Sequence, residues 1–308
     1  MPKSKPSKPK TTKPPKVSIA TPTYNRAHFH PILTEIVRHQ SYPHERLEWV
    51  IIDDSPEPSP TLKSLETLDG ITVKYIHIPA QSSPMTVGAK RDMLSQSCSG
   101  KYIVNMDDDD YYTADRVANA VKALEEGYSI VGNSEMYIYF TDIQKYYKFG
   151  PYSDNHATGA TLAYSKSYAE THKWGNGGFG EESNFTKGCK MGKTPIGDLL
   201  ALSHNSNTVD KSPFLNPKYG QVGKRIVRLE SDPVGIPNPV KSFYRTLCNN
   251  PKVANVHSKE IIAKMEESAI KMRNSYDNYC TNRLNAQIAK VCAIYRFLYG
   301  LPNIPAEP

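Results

Sequence analysis

The chain has 308 residues, 38% hydrophobic and 22% charged, which suits one large globular domain with extensions and excludes a disordered or fibrous chain. Of the net charge of +7, residues 1–16 carry +6, with six lysines and no acid; the remainder holds 32 basic against 31 acidic residues, so no nucleic-acid-binding face is expected. Five cysteines without a CxxC spacing exclude a zinc ribbon and a full disulfide framework, and the lack of a signal-peptide core or of any apolar run of about 18 residues predicts a soluble or peripherally membrane-associated, cytoplasmic protein with reduced thiols.

Residues 1–16, MPKSKPSKPKTTKPPK, cannot bury a core and are expected to be a disordered tail, solubilising or in contact with an anionic surface such as a membrane. Val17–Thr21 reads as a first strand ended by Pro22, and Arg26–Gln40 as a helix through Ile32, Leu33, Ile36 and Val37. Leu47–Ile52 is a second strand, Pro60–Leu68 a helix, Ile71–Ile78 a third strand, Thr86–Cys98 a helix, Tyr102–Met106 a fourth strand and Asp115–Glu126 a helix. Strand and helix repeated four times predict an α/β fold, with a mostly parallel sheet and helices on both faces. Short Tyr/Ile-rich strands within residues 128–164 predict a small antiparallel hairpin attached to that sheet. Lys173–Gly180 is a Gly-rich loop, Glu181–Cys189 a helix that starts on two acids, and Pro213–Pro239 an irregular stretch. Two out-of-phase apolar seams between Ser258 and Tyr299 predict a pair of helices that pack on the domain or on a second copy.

The fourth strand runs straight into Asp107-Asp108-Asp109-Asp110. A buried strand ending in acids places them at the carboxyl edge of the sheet, where open α/β sheets bind ligands. At an effective dielectric near 20, two carboxylates about 5 Å apart repel by about 3 kcal/mol, which a hard divalent cation offsets. If the chain stays extended, Asp107 and Asp109 share one face and Asp108 and Asp110 the other. Tyr24 and Asn25 after strand one, and Asp53 and Asp54 after strand two, fall on the same edge.

VSIATPTYNR, EWVIIDDS, GAKRDMLSQSCSGKYIVNMDDDDYY and GGFGEES, in this order, resemble the GT-A-fold glycosyltransferases of family 2 over about residues 17–210. The resemblance implies a GT-A domain over 17–220, with a nucleotide-binding half at 17–112 and an acceptor-side half at 113–220, followed by a linker and C-terminal helices over 221–308. It implies a nucleotide-diphosphate-sugar donor, Mn2+ or Mg2+, inversion at the anomeric carbon and a glycan, glycolipid or glycoprotein acceptor. Thr21, Pro22 and Tyr24 would lie near the nucleoside, and Asp54 would read the base, favouring UDP. Asp107–Asp109 matches the Asp-x-Asp motif: Asp109 would hold the metal with Asp107 as the motif's other acid, and Asp107 or Asp108 would face the ribose. His204 would add a metal or phosphate contact, unless it is a surface histidine of its polar loop. Where the family usually has Glu-Asp, this chain has Glu181-Glu182; Glu182 is assigned as base and Glu181 as acceptor hydrogen-bond partner. Lys90 and Arg91 either approach the diphosphate or form a solvated helix face, and Trp174 and Phe179 either stack on a sugar or belong to the core.

No Gln-x-x-Arg-Trp sequence is present, which argues for adding one or a few sugars rather than processive synthesis. Two alternatives remain: a nucleotidyltransferase making the sugar nucleotide, disfavoured because ATPTYNRAH has no phosphate-binding glycine, and a binding scaffold without turnover.

Overall fold

The structure, a computed structural model, describes residues 13–79, 83–151, 156–176, 180–216 and 226–248. Thirteen strands form two sheets: β1 Val17–Thr23, β2 Leu47–Asp53, β3 Thr67–Leu68, β4 Ile71–His77, β5 Tyr102–Asn105, β6 Tyr111–Tyr112, β7 Ile130–Gly132, β8 Met136–Phe140, β9 Lys145–Phe149, β10 Ala163–Ser165, β11 Gly192–Lys193, β12 Leu199–Ser203 and β13 Ile226–Leu229. The helices are α1 His30–Arg38, α2 Val87–Ser97, α3 Arg116–Glu125, α4 Lys166–Thr171, α5 Glu182–Phe185 and α6 Asn238–Cys248.

The main sheet has the order β11-β7-β10-β5-β1-β2-β4-β3. Its central strands are parallel, with β1 held between β2, from Val17 opposite Leu47 to Thr23 opposite Asp53, and β5. Every residue of β1, β2 and β5 is buried, the continuous burial of a sheet covered on both faces. Alternation along β2 sends Trp49 and Ile51 into one apolar cluster with α1, α3 and α6, and Val50 and Ile52 into the other with α2, α4 and α5. The expected α/β architecture with helices on both faces is observed.

Several expected elements differ. β1 runs on through Pro22 to Thr23. No helix forms at Pro60–Leu68; the segment, entered through Pro56, Pro58 and Pro60, makes isolated turns with bonds such as Lys63 N to Ser59 O at 3.0 Å, then enters β3. The helix expected at Glu181–Cys189 is the single turn α5, and Gly188 follows at φ 75°. Residues 128–164 are not one hairpin unit. β7 and β10 join the main sheet, β10 antiparallel to both of its neighbours, while the β8–β9 hairpin belongs to a second sheet of order β13-β9-β8-β12-β6.

Beyond residue 220, β13 pairs with β9, and Val240, Phe243 and Tyr244 of α6 enter the main core. Of residues 1–16, the described ones are held: Lys16 Nζ reaches Glu48 Oε2 at 3.1 Å, and the carbonyls of Pro14 and Pro15 accept from Arg46 and Tyr42. The C-terminal helices expected between Ser258 and Tyr299, and the dimer contact assigned to them, lie outside the described residues. Among the described residues no helix is long and apolar enough to cross a membrane.

Candidate active site

At the carboxyl ends of β1 and β5 the chain opens into a cleft of about 410 Å³, closed from the other side by Met136 of β8 and Ala201 of β12. The volume falls in the range of small-ligand pockets. The four aspartates line it, but not as an extended strand: β5 ends at Asn105 and the acids lie in a turn before β6. The expected pairing of Asp107 with Asp109 and of Asp108 with Asp110 on opposite faces is therefore lost.

Each acid has its own partners. Asp107 takes Arg91 Nη2 on both oxygens at 2.9 and 3.0 Å. Asp108 accepts from Thr23 Oγ1 at 2.5 Å and from Arg26 Nη1 at 2.8 Å. Behind Thr23 stands His30, whose Nε2 lies 3.0 Å from the Thr23 hydroxyl and whose Nδ1 lies 2.6 Å from Ser59 Oγ. Burial holds His30 down to about 4, so the neutral ring relays hydrogen bonds rather than charge. Asp109 Oδ2 meets Arg26 Nη1 at 2.8 Å, His204 Nε2 at 3.0 Å and Asn207 Nδ2 at 3.0 Å. Asp110 accepts the Leu202 amide at 3.0 Å, which ties the turn to β12.

The electrostatics follow. Burial raises Asp107 and Asp108 despite Arg91 and Arg26, and burial with the nearby Asp109 charge raises Asp110 well above the carboxylate range. Burial opposes ionisation of Asp109 too, but Arg26 and the His204 hydrogen bond overcome it and hold this acid far below its ordinary value. Burial lowers His204.

The expected site residues sort as follows. Pro22, Tyr24, Lys90, Arg91, Asp107, Asp108, Asp109 and Glu181 line the cleft. His204, 95 residues from Asp109 in the chain, stands against it, and Phe29 backs its ring at 4.9 Å. Thr21 is not at the cleft: its hydroxyl accepts from the Trp49 indole at 3.0 Å inside the core, and Thr23, at the strand end, stands there instead. Lys90 and Arg91 are buried, not a solvated helix face. Asp54 accepts from Lys90 Nζ at 2.7 Å on Oδ1 and from the Met85 amide at 2.6 Å on Oδ2, which leaves each oxygen one further lone pair. Trp174 is core, 3% exposed, stacked on Phe185 at 4.2 Å and 5.1 Å from the Arg91 guanidinium. Phe179 lies outside the described residues. Glu182 Oε1 lies 3.8 Å from His156 Nε2, and its carboxyl is raised by burial and by Glu181.

Arg26, Thr23, His30 and Asn207 were missed by sequence reasoning. Arg26 had a signal, since it closes the TYNR motif, but its partner Asp108 is 82 residues away.

Oxygen and imidazole donors at Asp109 and His204 are of the type Mn2+ accepts, and Ser206 Oγ at 3.0 Å from His204 Nδ1 can orient the ring for it. Among the described residues no three His, Cys, Asp or Glu side chains converge into a ready cage.

Residues 18–179 match the sequence profile described as Glycosyl transferase family 2. No curated protein matches the chain significantly. Similar solved structures include S. aureus TarS 1-349 in complex with UDP-GlcNAc, at 14% identity and TM-score 0.47 over 95% of this chain and 98% of that one. Another is the mannosyltransferase PcManGT from Pyrobaculum calidifontis in complex with GDP-Man and Mn2+, at 14% identity and TM-score 0.46 over 94% and 84%. With its family profile spanning more than half of the sequence, the chain belongs to glycosyl transferase family 2 and is a glycosyltransferase with the GT-A fold.

Proposed function

We propose that this enzyme is a metal-dependent inverting glycosyltransferase that moves a sugar from a UDP-linked donor to a hydroxyl of a glycan, glycolipid or glycoprotein acceptor. The observation that carries the reading is the Arg91 guanidinium, which bridges donor-side Asp107 at 2.9 Å and acceptor-side Glu181 at 3.5 Å across one cleft. Asp107 and Glu181, read as donor-side and acceptor-side acids, thus line one open cleft.

In this reading Glu182 removes the acceptor proton as the acceptor oxygen bonds to the anomeric carbon from the face opposite the leaving group. The bond from that carbon to the phosphate oxygen breaks, and its electron pair leaves with the nucleoside diphosphate. The raised Glu182 carboxyl suits this task, because a base poised nearer neutrality accepts a proton more readily. Glu181 orients the acceptor, and Pro22 and Tyr24 lie along the nucleoside. Asp109, Asp107 and His204 would hold a divalent metal, which when bound neutralises charge on the leaving diphosphate.

The test is turnover against UDP- and GDP-linked sugars with and without Mn2+, with the product anomer assigned by NMR. Release of UDP with inversion, lost by at least about 10³-fold in Asp109→Ala, is expected. Pyrophosphate release from a sugar phosphate and a nucleoside triphosphate would instead identify a nucleotidyltransferase, and nucleotide binding without turnover a scaffold.

A further inference from the structure

We propose that Arg26 is a guanidinium latch on the acidic cluster: held by Asp108, it covers the Asp109 carboxylate that would ligate the donor's cation, so that guanidinium and metal exclude one another at Asp109. The proposal rests on reading this cleft as the donor site.

Arg26 enters the cluster from the loop after β1 and makes three short contacts: Nη1 to Asp108 Oδ1 at 2.8 Å, the same Nη1 to Asp109 Oδ2 at 2.8 Å, and Nη2 to the Ser206 carbonyl at 2.7 Å. The nitrogen that donates to Asp108 thus also faces the Asp109 oxygen that would meet the metal. The Arg26 side chain is only 14% exposed and the two carboxylates 1% and 8%, so the pairing is made away from bulk water, where a dication and a guanidinium cannot both be placed without strong repulsion.

The pairing is also crowded. Asp109 Oδ2 has three nitrogens within 3.0 Å, from Arg26, His204 and Asn207, and His204 Nε2 and Asn207 Nδ2 are themselves 3.0 Å apart. This oxygen already has its two hydrogen-bond donors in His204 and Asn207, so the Arg26 charge can leave it without taking a hydrogen bond away. Ser206 links the latch to the ligand loop, since its carbonyl accepts from Arg26 while its hydroxyl meets His204 Nδ1. Arg26 also lines the cleft. A diphosphate arriving there offers the guanidinium a fork of oxygens in exchange for the carboxylates it gives up. Metal and nucleotide diphosphate then bind with positive coupling, and the latch is its source.

The experiment is titration of nucleotide-free protein with Mn2+, followed by electron paramagnetic resonance of the free ion, for wild type, Arg26→Gln and Arg26→Lys, repeated with saturating UDP. Removing the latch is expected to tighten Mn2+ binding at least tenfold without nucleotide and to shrink the gain that UDP gives wild type. Arg26→Lys keeps a cation without the two-pronged fork and is expected to fall between them; it serves as the test if Arg26→Gln fails to fold. Equal Mn2+ affinity in all three proteins, weaker binding in Arg26→Gln, or no Mn2+ binding by any of them would overturn the latch. If Mn2+ separates the variants as expected but UDP binds none of them, the latch stands and the proposed donor falls.

Discussion

Glu181 and Glu182 are chain neighbours with different surroundings. Glu181 faces Arg91 Nε at 3.5 Å, whereas Glu182 is raised by burial and by Glu181 itself. The two isosteric amides are therefore expected to separate in kinetics. Glu182→Gln lowers kcat by roughly 10²–10⁴-fold, the usual contribution of a general base, while Glu181→Gln acts mainly on acceptor KM. A base must be ionised to act, so turnover falls as pH drops through the Glu182 value, and the midpoint of that acid limb is expected above the ordinary glutamate value of 4.5. A pH–rate profile of wild type and Glu182→Gln checks this, and persistence of the limb in the variant would move the role elsewhere. The Lys90–Asp54 pair makes a second claim at this scale. Both side chains are about 5% exposed, so Lys90→Met leaves a buried carboxylate unpaired and is expected to destabilise by about 3–5 kcal/mol. Adding Asp54→Asn to Lys90→Met should recover most of that loss in denaturant melts.

Elements are held at both ends of the main sheet by particular contacts. At the end away from the cleft, Glu48 of β2 accepts from Ser18 of β1, from the Ser99 amide at 2.5 Å and hydroxyl at 2.6 Å, and from Lys16. Burial works against its charge, but the serine hydrogen bonds outweigh it and bring the carboxyl down to about 2. A depressed acid contributes stability above its unfolded value, and this is lost as pH falls through the folded one. Glu48→Gln is expected to cost on the order of 2 kcal/mol at neutral pH and to flatten the stability loss between about pH 4.5 and 2, as read from thermal melts across that window. At the cleft end, Gly88 in the first turn of α2 lets the loop that carries Glu181 lie against the helix: a Cβ there would stand 1.9 Å from the Gly175 carbonyl oxygen. Gly88→Ala is expected to displace that loop, raising acceptor KM more than it lowers the melting temperature.

The cleft is a property of the whole molecule. Its floor comes from the main sheet and its far wall from the second sheet, and one apolar cluster joins Leu200 and Leu202 of β12 to Val17 and Ile19 of β1. Helix α6, beyond the residues matched by the family profile, closes this cluster. Phe243 meets Phe29 edge-on at 5.9 Å, and Phe29 backs His204. Phe243→Ala is expected to destabilise by about 3–5 kcal/mol, the cost of emptying a buried aromatic site. Because Phe29 then loses its backing, Mn2+ affinity is also expected to fall, measured at a temperature where the variant is fully folded. A loss of stability with unchanged metal binding would restrict α6 to packing.

Local pattern was enough for the layers and the edge. Continuous apolar runs in β1, β2 and β5 mean strands covered on both faces, and acids directly after a buried strand can only emerge at its carboxyl end. That reasoning placed Asp107, Asp108 and Asp109 at the cleft; Glu181 and a contact from His204 were implied only by the family resemblance, and His204 Nε2 lies 3.0 Å from Asp109 Oδ2. It put Thr21 where Thr23 stands and left Trp174 open between cleft and core, because whether a polar or aromatic side chain faces a cleft or a core is set by what packs over it, not by its neighbours in the chain. It passed over Arg26, whose role exists only once residues 82, 83 and 180 positions away arrive beside it. The sequence alone determined where acidic charge would gather; the tertiary structure decided which cation stands in it, since only the folded chain brings distant donors within reach of a buried carboxylate.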